Sequence, residues 1–197
     1  MTPPGPPERR GLQGRFVALE PLDERHREAL LEAARDPEIW TYMPVDPKAG
    51  FARRLPWMLA ENAVGRLVTF AVRRLCDETI VGSTSYLNIA PADARLEIGF
   101  TWYAAGARGG AVNPEAKYLL LAHAFAAGFN RVEFKTDARN ARSRAALLKL
   151  GATEEGTLRR HMWMPQGYFR DSVYFSILAG EWPAIRDRLE ARLAACA

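Results

Sequence analysis

The segment "ARGGAVNPEAKYLLLAHAF", residues 107–125, joins a glycine-containing loop directly to a long apolar helix pattern. Asn113 is a favoured N-cap residue, and Pro114 suits the first position of a helix. Glu115 would then complement the positive end of that helix. We therefore predict a helix that begins at Pro114 and ends at about Ala127.

The loop before this helix contains residue types that favour anion binding. Gly109 and Gly110 lack side chains, so several backbone amides can approach one ligand closely. Amides at the start of a helix attract phosphate or pyrophosphate groups. Taken alone, the same pattern is explained more simply by an ordinary loop between a strand and a helix. The choice between an anion-binding loop and an ordinary loop therefore depends on the neighbouring elements.

Three segments before the loop alternate apolar and polar residues with the period of two that is typical of β-strands. They begin at residues 67, 79 and 95 and read "LVTFAVRR", "TIVGSTSYLNI" and "RLEIGFTWY". Their short connections predict an antiparallel meander. Further upstream, "RFVALEPL" predicts a first strand, and two helical patterns follow it, the first capped by Asp23 and the second near residues 51–63.

The chain after the loop changes to alternating helix and strand patterns. Strand "RVEFKTD" follows the first helix, and a second helix is predicted from Ala141 to Leu150, with Gly151 at its end. A strand, helix and strand in this order favour a right-handed crossover between parallel strands. Two long strand patterns, "TEEGTLRRHMWM" from residue 153 and "YFRDSVYFSIL" from residue 168, are joined by "PQG" and predict a hairpin, and an amphipathic helix follows it.

Length and composition indicate one soluble domain. The 197 residues are 48% apolar and carry a formal charge of +4, and the first ten have no apolar centre. We predict a flexible tail over residues 1–14, a single domain over residues 15–197 and a cytoplasmic location, without membrane or nucleic-acid partners. Two cysteines and three histidines lie too far apart in sequence for a structural metal site.

The order of elements and four of the segments resemble the GCN5-related N-acetyltransferase (GNAT) superfamily. The segments are "LEIGFTWY", "ARGGAVNPEAKYLLLAHAF", "NRVEFKTDARNARSRAALLKLGATEEGTLRRHM" and "GYFRDSVYFSIL". The likeness extends from about Arg15 to Trp182 and is strongest to the branch of the Rim ribosomal-protein N-terminal acetyltransferases. The residues that match in spacing are Asn140, Ser143, Leu150 and Gly151.

The resemblance implies an α/β (α+β) GNAT fold with a central mixed, mostly antiparallel twisted sheet of about seven strands. The sheet splays into a V and is flanked by helices. The resemblance also implies acetyl-CoA as co-substrate, with its pyrophosphate on the loop before the central helix. The family pattern there is Arg or Gln, two variable residues, Gly, one variable residue and Gly or Ala. The corresponding residues here are Arg108, Gly109, Gly110, Ala111, Val112 and Asn113, so Ala111 and Asn113 depart from the pattern.

In the family, the strand before the loop diverges from its parallel neighbour, and its backbone binds the pantetheine arm. Here that strand ends at Trp102, Tyr103 and Ala104, and we interpret the two aromatic side chains as ordinary strand residues. Asn140 matches a position that contacts the cofactor, and it can also cap the helix beginning at Ala141.

An arginine-rich stretch follows the strand that ends in "KTD". Arg142, together with Arg139 and Arg144, is a candidate for binding the 3′-phosphate of CoA. A solvated helix face is the alternative for all three.

The resemblance also assigns candidate catalytic residues. Many members have a tyrosine that protonates the thiolate, and that position is Leu147 here. The Rim-like branch places a serine near the sulfur, and Ser143 matches it. We expect Ser143 to face the sheet with Ala146, Leu147 and Leu150. Its hydroxyl could instead bond to a carbonyl of the preceding turn.

Glu97 is the leading candidate for the general base, because its strand leads into the splayed position. An exposed row of strand residues is the alternative, and a base acting through water, Tyr168 and Asp171 are further candidates. Trp40, Tyr42 and Glu97 are the candidates for binding the acceptor, although aromatic residues at such positions are often core residues.

The sequence thus predicts transfer of an acetyl group from acetyl-CoA to a primary amine by direct attack in a ternary complex. A protein N-terminal amine is the favoured acceptor. Small amines, aminoglycosides and a non-catalytic acyl-CoA sensor are the alternatives, and formation of a homodimer is left open.

Overall fold

A single mixed β-sheet runs through the computed structural model, which describes residues 3–46 and 50–196. In chain order its strands are β1 (Leu12–Gln13), β2 (Val17–Pro21), β3 (Val68–Arg74), β4 (Thr79–Ala90), β5 (Arg95–Tyr103), β6 (Arg131–Asp137), β7 (Thr153–Met164) and β8 (Tyr168–Leu178). Their spatial order is β1-β2-β3-β4-β5-β6-β8-β7. Neighbouring strands are antiparallel except for β5 and β6, so the predicted GNAT-like sheet is confirmed.

The described chain also contains α-helices on both faces of this sheet. They are α1 (Arg27–Ala33), α2 (Gly50–Ala63), α3 (Val112–Ala126), α4 (Ala141–Leu150) and α5 (Trp182–Ala194). Pro56 lies inside α2, which continues through it. In the described residues, no helix has the length and apolarity needed to cross a bilayer.

The sheet has eight strands where about seven were predicted. The additional strand β1 lies in the segment that we expected to be a flexible tail, and it pairs Leu12 with Leu19 and Gln13 with Ala18 of β2. Strand patterns of two residues are too short to be recognised by alternation, which needs four or more positions.

Two hydrophobic cores lie on opposite faces of the sheet. Helices α3, α4 and α5 contribute to the first core, and α1 and α2 contribute to the second. In β5, Ile98 belongs to the first core and Trp102 to the second, although a spacing of four would place both on one face. A bulge at Phe100, which has a φ of 47°, changes the alternation between them.

Strands β5 and β6 diverge after a short parallel stretch. Their last pair is Glu97 with Glu133. Beyond it, β5 continues beside β4 as far as Tyr103, and β6 continues beside β8 as far as Asp137. The strands therefore open a V-shaped gap, as the family resemblance implied.

Candidate active site

Helix α3 starts two residues earlier than predicted. Its first residue is Val112 and its N-cap is Ala111, so the prediction that Asn113 caps a helix beginning at Pro114 is wrong. The amide of Glu115 donates to the carbonyl of Ala111 at 3.0 Å and closes the first turn there. Pro114 is tolerated because the first amides of a helix have no partner within it.

Glu115 ties the beginning of the chain to α3. Its buried carboxylate accepts hydrogen bonds from the backbone amides of Arg15, Phe16 and Val17 at 2.8, 2.6 and 2.7 Å. A side chain at Gly14 would collide with this carboxylate, since a Cβ there would lie 2.4 Å from Cδ of Glu115. Glu115 therefore positions the chain beside the loop, a role that local sequence did not reveal.

The loop before α3 offers a row of unpaired amides. Within the described chain, no acceptor is hydrogen-bonded to the amides of Gly109, Gly110, Ala111 or Val112. The φ of Gly109 is 86°, a conformation that glycine adopts readily. These amides lie at the positive end of α3, so this is a suitable place for a phosphate group.

A cavity of about 380 Å³ lies beside these amides. Its lining includes the arginines Arg15, Arg74 and Arg108. In the described chain Arg15 has no acidic partner, whereas Arg74 pairs with Asp77. Arg15 and Arg74 could not be selected from the sequence, because nothing local indicates that they meet a loop more than 30 residues away.

Arg108 anchors the loop. Its Nη2 donates to Oδ2 of Asp36 at 2.9 Å, and its Nε donates to the carbonyl of Tyr103 at 2.9 Å. The guanidinium is thus already bonded to protein groups, and the neighbouring amides are the freer donors for a ligand.

The side chain of Lys117 reaches from α3 into the gap between β5 and β6. Its Nζ lies 2.9 Å from Oγ1 of Thr101 on β5 and 5.6 Å from the ring centre of Phe134 on β6. Both neighbours belong to the parts of the strands that have already diverged. Lys117 could not be selected from the sequence, because lysine in a helix usually lies on a solvated face.

Glu97 lies on the other face of β5 and is almost fully buried, with 3% of its surface exposed. Oε2 of Glu97 accepts a hydrogen bond from Nδ2 of Asn88 at 2.8 Å and lies 3.6 Å from Nζ of Lys135. Burial raises the pKa of Glu97, and Lys135 and Asn88 oppose this effect. The alternative of an exposed strand row is therefore wrong, and Glu97 has the environment of a candidate base.

Arg170 adds a buried cation to the same face. Its Nε donates to Oγ of Ser172 at 3.0 Å, and Ser172 also lies 3.0 Å from Nδ1 of His161. Nη2 of Arg170 is buried and has no partner among the described residues. This free donor was not found from the sequence, where Arg170 is one residue in an alternating strand.

A cluster at the ends of β6 and β8 contains Tyr42. The hydroxyl of Tyr168 donates to Oδ2 of Asp137 at 2.5 Å, and burial together with this bond raises the pKa of Tyr168. The guanidinium of Arg139 lies 3.5 Å from the ring centre of Tyr168 and 5.9 Å from that of Tyr42. Tyr42 is half-buried and Arg139 is exposed, so both side chains can be reached from solvent.

Trp40 lies in the second core. Its ring centre is 5.6 Å from that of Phe51 and 5.4 Å from that of Trp102, and its Nε1 donates to the carbonyl of Ala34 at 3.1 Å. The side chains of Trp40 and Trp102 are therefore core residues. Only the backbone of Trp40 reaches the β7–β8 turn, where it accepts from Nε2 of Gln166 at 2.8 Å.

Helix α4 begins as predicted, with Asn140 as its cap. Oδ1 of Asn140 accepts from the amide of Ser143 at 3.0 Å. Ser143 is half-buried, and its hydroxyl has no hydrogen-bond partner in the described residues. The expectation that Ala146 shares a packed face with Ser143 is wrong, because Ala146 is exposed while Leu147 is buried.

The two arginines of α4 differ in their surroundings. Arg142 is exposed, whereas Arg144 is half-buried and pairs with Glu154 at 3.3 Å. Within residues 3–46 and 50–196, no three His, Cys, Asp or Glu side chains are grouped so as to hold a metal ion.

Comparisons with known proteins agree with this geometry. The model of the acetyltransferase (GNAT) domain matches residues 17–153. A relative from Bacillus subtilis (strain 168), named "Putative ribosomal N-acetyltransferase YdaF", is 28% identical over 169 residues, which cover 83% of this chain and 90% of the relative.

Two solved structures are similar over nearly the whole chain. A GCN5-related N-acetyltransferase from Brucella melitensis is 31% identical, with a TM-score of 0.90, over 98% of this chain and 89% of the other. Mycobacterium smegmatis RimJ, solved in complex with CoA-disulfide, is 27% identical, with a TM-score of 0.81, over 98% and 97% of the two chains.

Proposed function

Because the chain belongs to the acetyltransferase (GNAT) family and is an acyltransferase that uses acetyl-CoA, we propose that its acceptor is a protein N-terminal amine. The amine attacks directly in a ternary complex. The similarity to RimJ and to the ribosomal N-acetyltransferase relative supports this choice of acceptor.

The observation that favours a peptide acceptor is the charge on the face of the sheet that carries Glu97 and Arg170. Arg170 presents there a buried Nη2 that has no partner among the described residues, while the cations Lys135 and Arg139 are paired with Glu97 and Asp137. Glu97 and Asp137, the buried carboxylates of this face, already have partners. A polycationic aminoglycoside would be repelled, whereas a peptide N-terminus supplies one amine and several carbonyl acceptors.

The residues present fit acetyl-CoA, which supplies an activated thioester when bound. The amides of residues 109–112 suit its diphosphate, and Arg15 adds a positive charge beside them. Among the described residues, no strand pairs with β5 beyond Glu97 on its β6 side, so its backbone can pair with an extended arm as an added strand does. Holding the two reactants in place lowers the activation free energy of such a reaction by roughly 7 to 11 kcal/mol.

Glu97 acts as the general base in this proposal. The attacking nitrogen must lose a proton, and an α-amine with a pKa of about 8 needs only a modest base. The raised pKa of Glu97 suits it to take this proton, directly or through one water. Its bond to Asn88 fixes the carboxylate in one orientation.

A paired-peptide assay tests the acceptor class. One peptide has a free N-terminus and an internal lysine, and its matched control differs only in a blocked N-terminus. We expect CoA thiol release and a mass increase of one acetyl group with the free peptide and neither with the blocked one. Equal modification of both peptides, or turnover with small amines alone, would contradict the proposal.

Ser143 is proposed to hydrogen-bond the sulfur with its hydroxyl, which has no partner among the residues that the structure describes. A single neutral hydrogen bond is worth about 0.5 to 1.5 kcal/mol, so Ser143→Ala should lower kcat roughly twofold to tenfold. Calorimetric affinity for acetyl-CoA should stay unchanged, because the cap formed by Asn140 remains. A kcat equal to that of the unmodified enzyme would remove this role.

A further inference from the structure

Lys117 is a buried amine in an apolar setting. Only 6% of its surface is exposed, and it lies on α3 between residues of the first core. Burying an ammonium is costly unless it is paired. Within the described chain its hydrogen-bond partner is the neutral hydroxyl of Thr101, and no carboxylate lies within ion-pair distance. An aliphatic side chain would be more stable here, which indicates a functional reason for the amine.

The position of the amine is well defined. Oγ1 of Thr101 lies 2.9 Å from Nζ of Lys117 and 2.7 Å from Oγ1 of Thr84. These contacts hold Nζ between the diverging strands, past the last paired residues of β5 and β6. In the proposed complex, this gap receives the thioester.

The structure supplies no strong acid from α4. Leu147, at the position where many family members have tyrosine, is buried and cannot donate a proton. Ser143 offers a hydroxyl that is too weak an acid to release its proton at neutral pH. A proton for the departing sulfur must therefore come from another group or from water.

We propose that Lys117 is a catalytic residue that gives this proton to the CoA sulfur. The proposal rests on the proposed function. The acceptor nitrogen bonds to the carbonyl carbon, the carbon–sulfur bond breaks with its electron pair on sulfur, and the ammonium of Lys117 protonates that sulfur. Glu97 takes the proton that the nitrogen loses. Both side chains regain their starting states by exchange with water when the products leave.

The charge state of Lys117 fits this role. Burial lowers the pKa of Lys117 to about 7, and the carboxylate of Glu97 offsets this only in part. The contacts of Lys117 on the neighbouring strands, Thr101 and Phe134, do not titrate. An ammonium with a pKa near 7 can protonate a thiolate, whose usual pKa is about 8.5.

The first test is Lys117→Met, with the exposed Lys149→Met as matched control. A thiolate is a fair leaving group, so we expect kcat to fall about tenfold, while calorimetric affinity for acetyl-CoA changes less than about twofold. The acid must be protonated, so kcat of the unmodified enzyme should fall as pH rises through the pKa of Lys117. This fall of kcat at high pH should be absent in Lys117→Met and present in Lys149→Met.

The second test does not depend on turnover. The chain has four lysines, and nitrogen NMR of their side chains, assigned with Lys117→Met, follows each titration. We expect Lys117 to titrate near pH 7. Addition of CoA should change the midpoint of Lys117, because the sulfur then lies beside the amine.

Two results would overturn the assignment: unchanged kcat and pH profile in Lys117→Met, or a Lys117 resonance that does not respond to CoA. If Lys117→Met does not melt cooperatively, Lys117→Gln takes its place. Failure of the unmodified enzyme to release thiol with any amine would instead contradict the proposed function, and the NMR response to CoA would still decide whether Lys117 meets the cofactor.

Discussion

Replacement of Glu97 by glutamine is expected to lower kcat/KM by about 100-fold, the lower end of what a general base contributes. Glutamine keeps the size of the side chain and can still accept the hydrogen bond from Asn88, but it cannot take a proton. Affinity for acetyl-CoA, measured by calorimetry, should change little. Steady-state thiol release at saturating acetyl-CoA measures the effect.

The role of Glu97 as a base also predicts the direction in which the rate changes with pH. A base must be deprotonated, so the rate should rise with pH through the pKa of Glu97, which burial places above the ordinary glutamate range. The Glu97→Gln enzyme should lack this acidic limb. Glu133→Gln is the control, because Glu133 lies opposite Glu97 on β6 but is paired with Arg131 at 2.8 Å. This variant should keep the acidic limb, displaced to lower pH, because the carboxylate of Glu133 contributes to the raised pKa of Glu97. An unchanged acidic limb in Glu97→Gln would assign the base to water or to Tyr168.

Replacement of Glu115 by alanine is expected to destabilise the fold by about 3 kcal/mol or more. The change leaves the buried amide of Val17 and the part-buried amides of Arg15 and Phe16 without their acceptor. An unsatisfied buried amide costs about 1 to 3 kcal/mol, and the two part-buried amides add to this cost. For a chain of this size the melting temperature should fall by roughly 6 to 12 °C. Urea unfolding followed by circular dichroism measures the free energy directly.

The matched control for this experiment is Glu190→Ala. Glu190 accepts a hydrogen bond from Tyr118 at 2.8 Å, but the contact is exposed, so its loss should hardly change the melting temperature. Equal melting temperatures for Glu115→Ala and Glu190→Ala would show that the three amides find other partners. The role of Glu115 in joining β2 to α3 would then be wrong.

Strands and helices with regular patterns could be predicted closely from the sequence. The bounds of β5, β6, α4, β7 and β8 agree with the predicted segments, because each has a clear period and is bounded by turn residues. The start of α3 was missed for a physical reason. Asn113 and Pro114 are favoured at a helix start, but the segment 107–112 contains no signal that the first turn closes at Ala111.

Site residues could be predicted where their role depends on their position along their own strand or helix. Glu97 lies at the divergence and Asn140 caps α4, as expected. Lys117, Arg15 and Arg170 could not be found, because their importance comes from burial or from neighbours distant in sequence. A lysine in an amphipathic helix pattern normally faces solvent, and the burial of Lys117 is evident only in the folded structure.

The faces on which the side chains of β5 lie could not be predicted from the sequence either. Strict alternation places Ile98 and Trp102 on one face, yet they lie in opposite cores. The change occurs at Phe100, whose positive φ is costly for a residue with a side chain. No residue type in "EIGFTWY" requires a bulge at that position, so the change of face follows from pairing with β4.

A crystal structure with CoA bound tests the central claim most directly. We predict the diphosphate against the amides of residues 109–112 and the sulfur in the gap between β5 and β6, within hydrogen-bond distance of Nζ of Lys117. CoA bound with its sulfur outside this gap, or β5 and β6 closed against each other in the complex, would contradict the account.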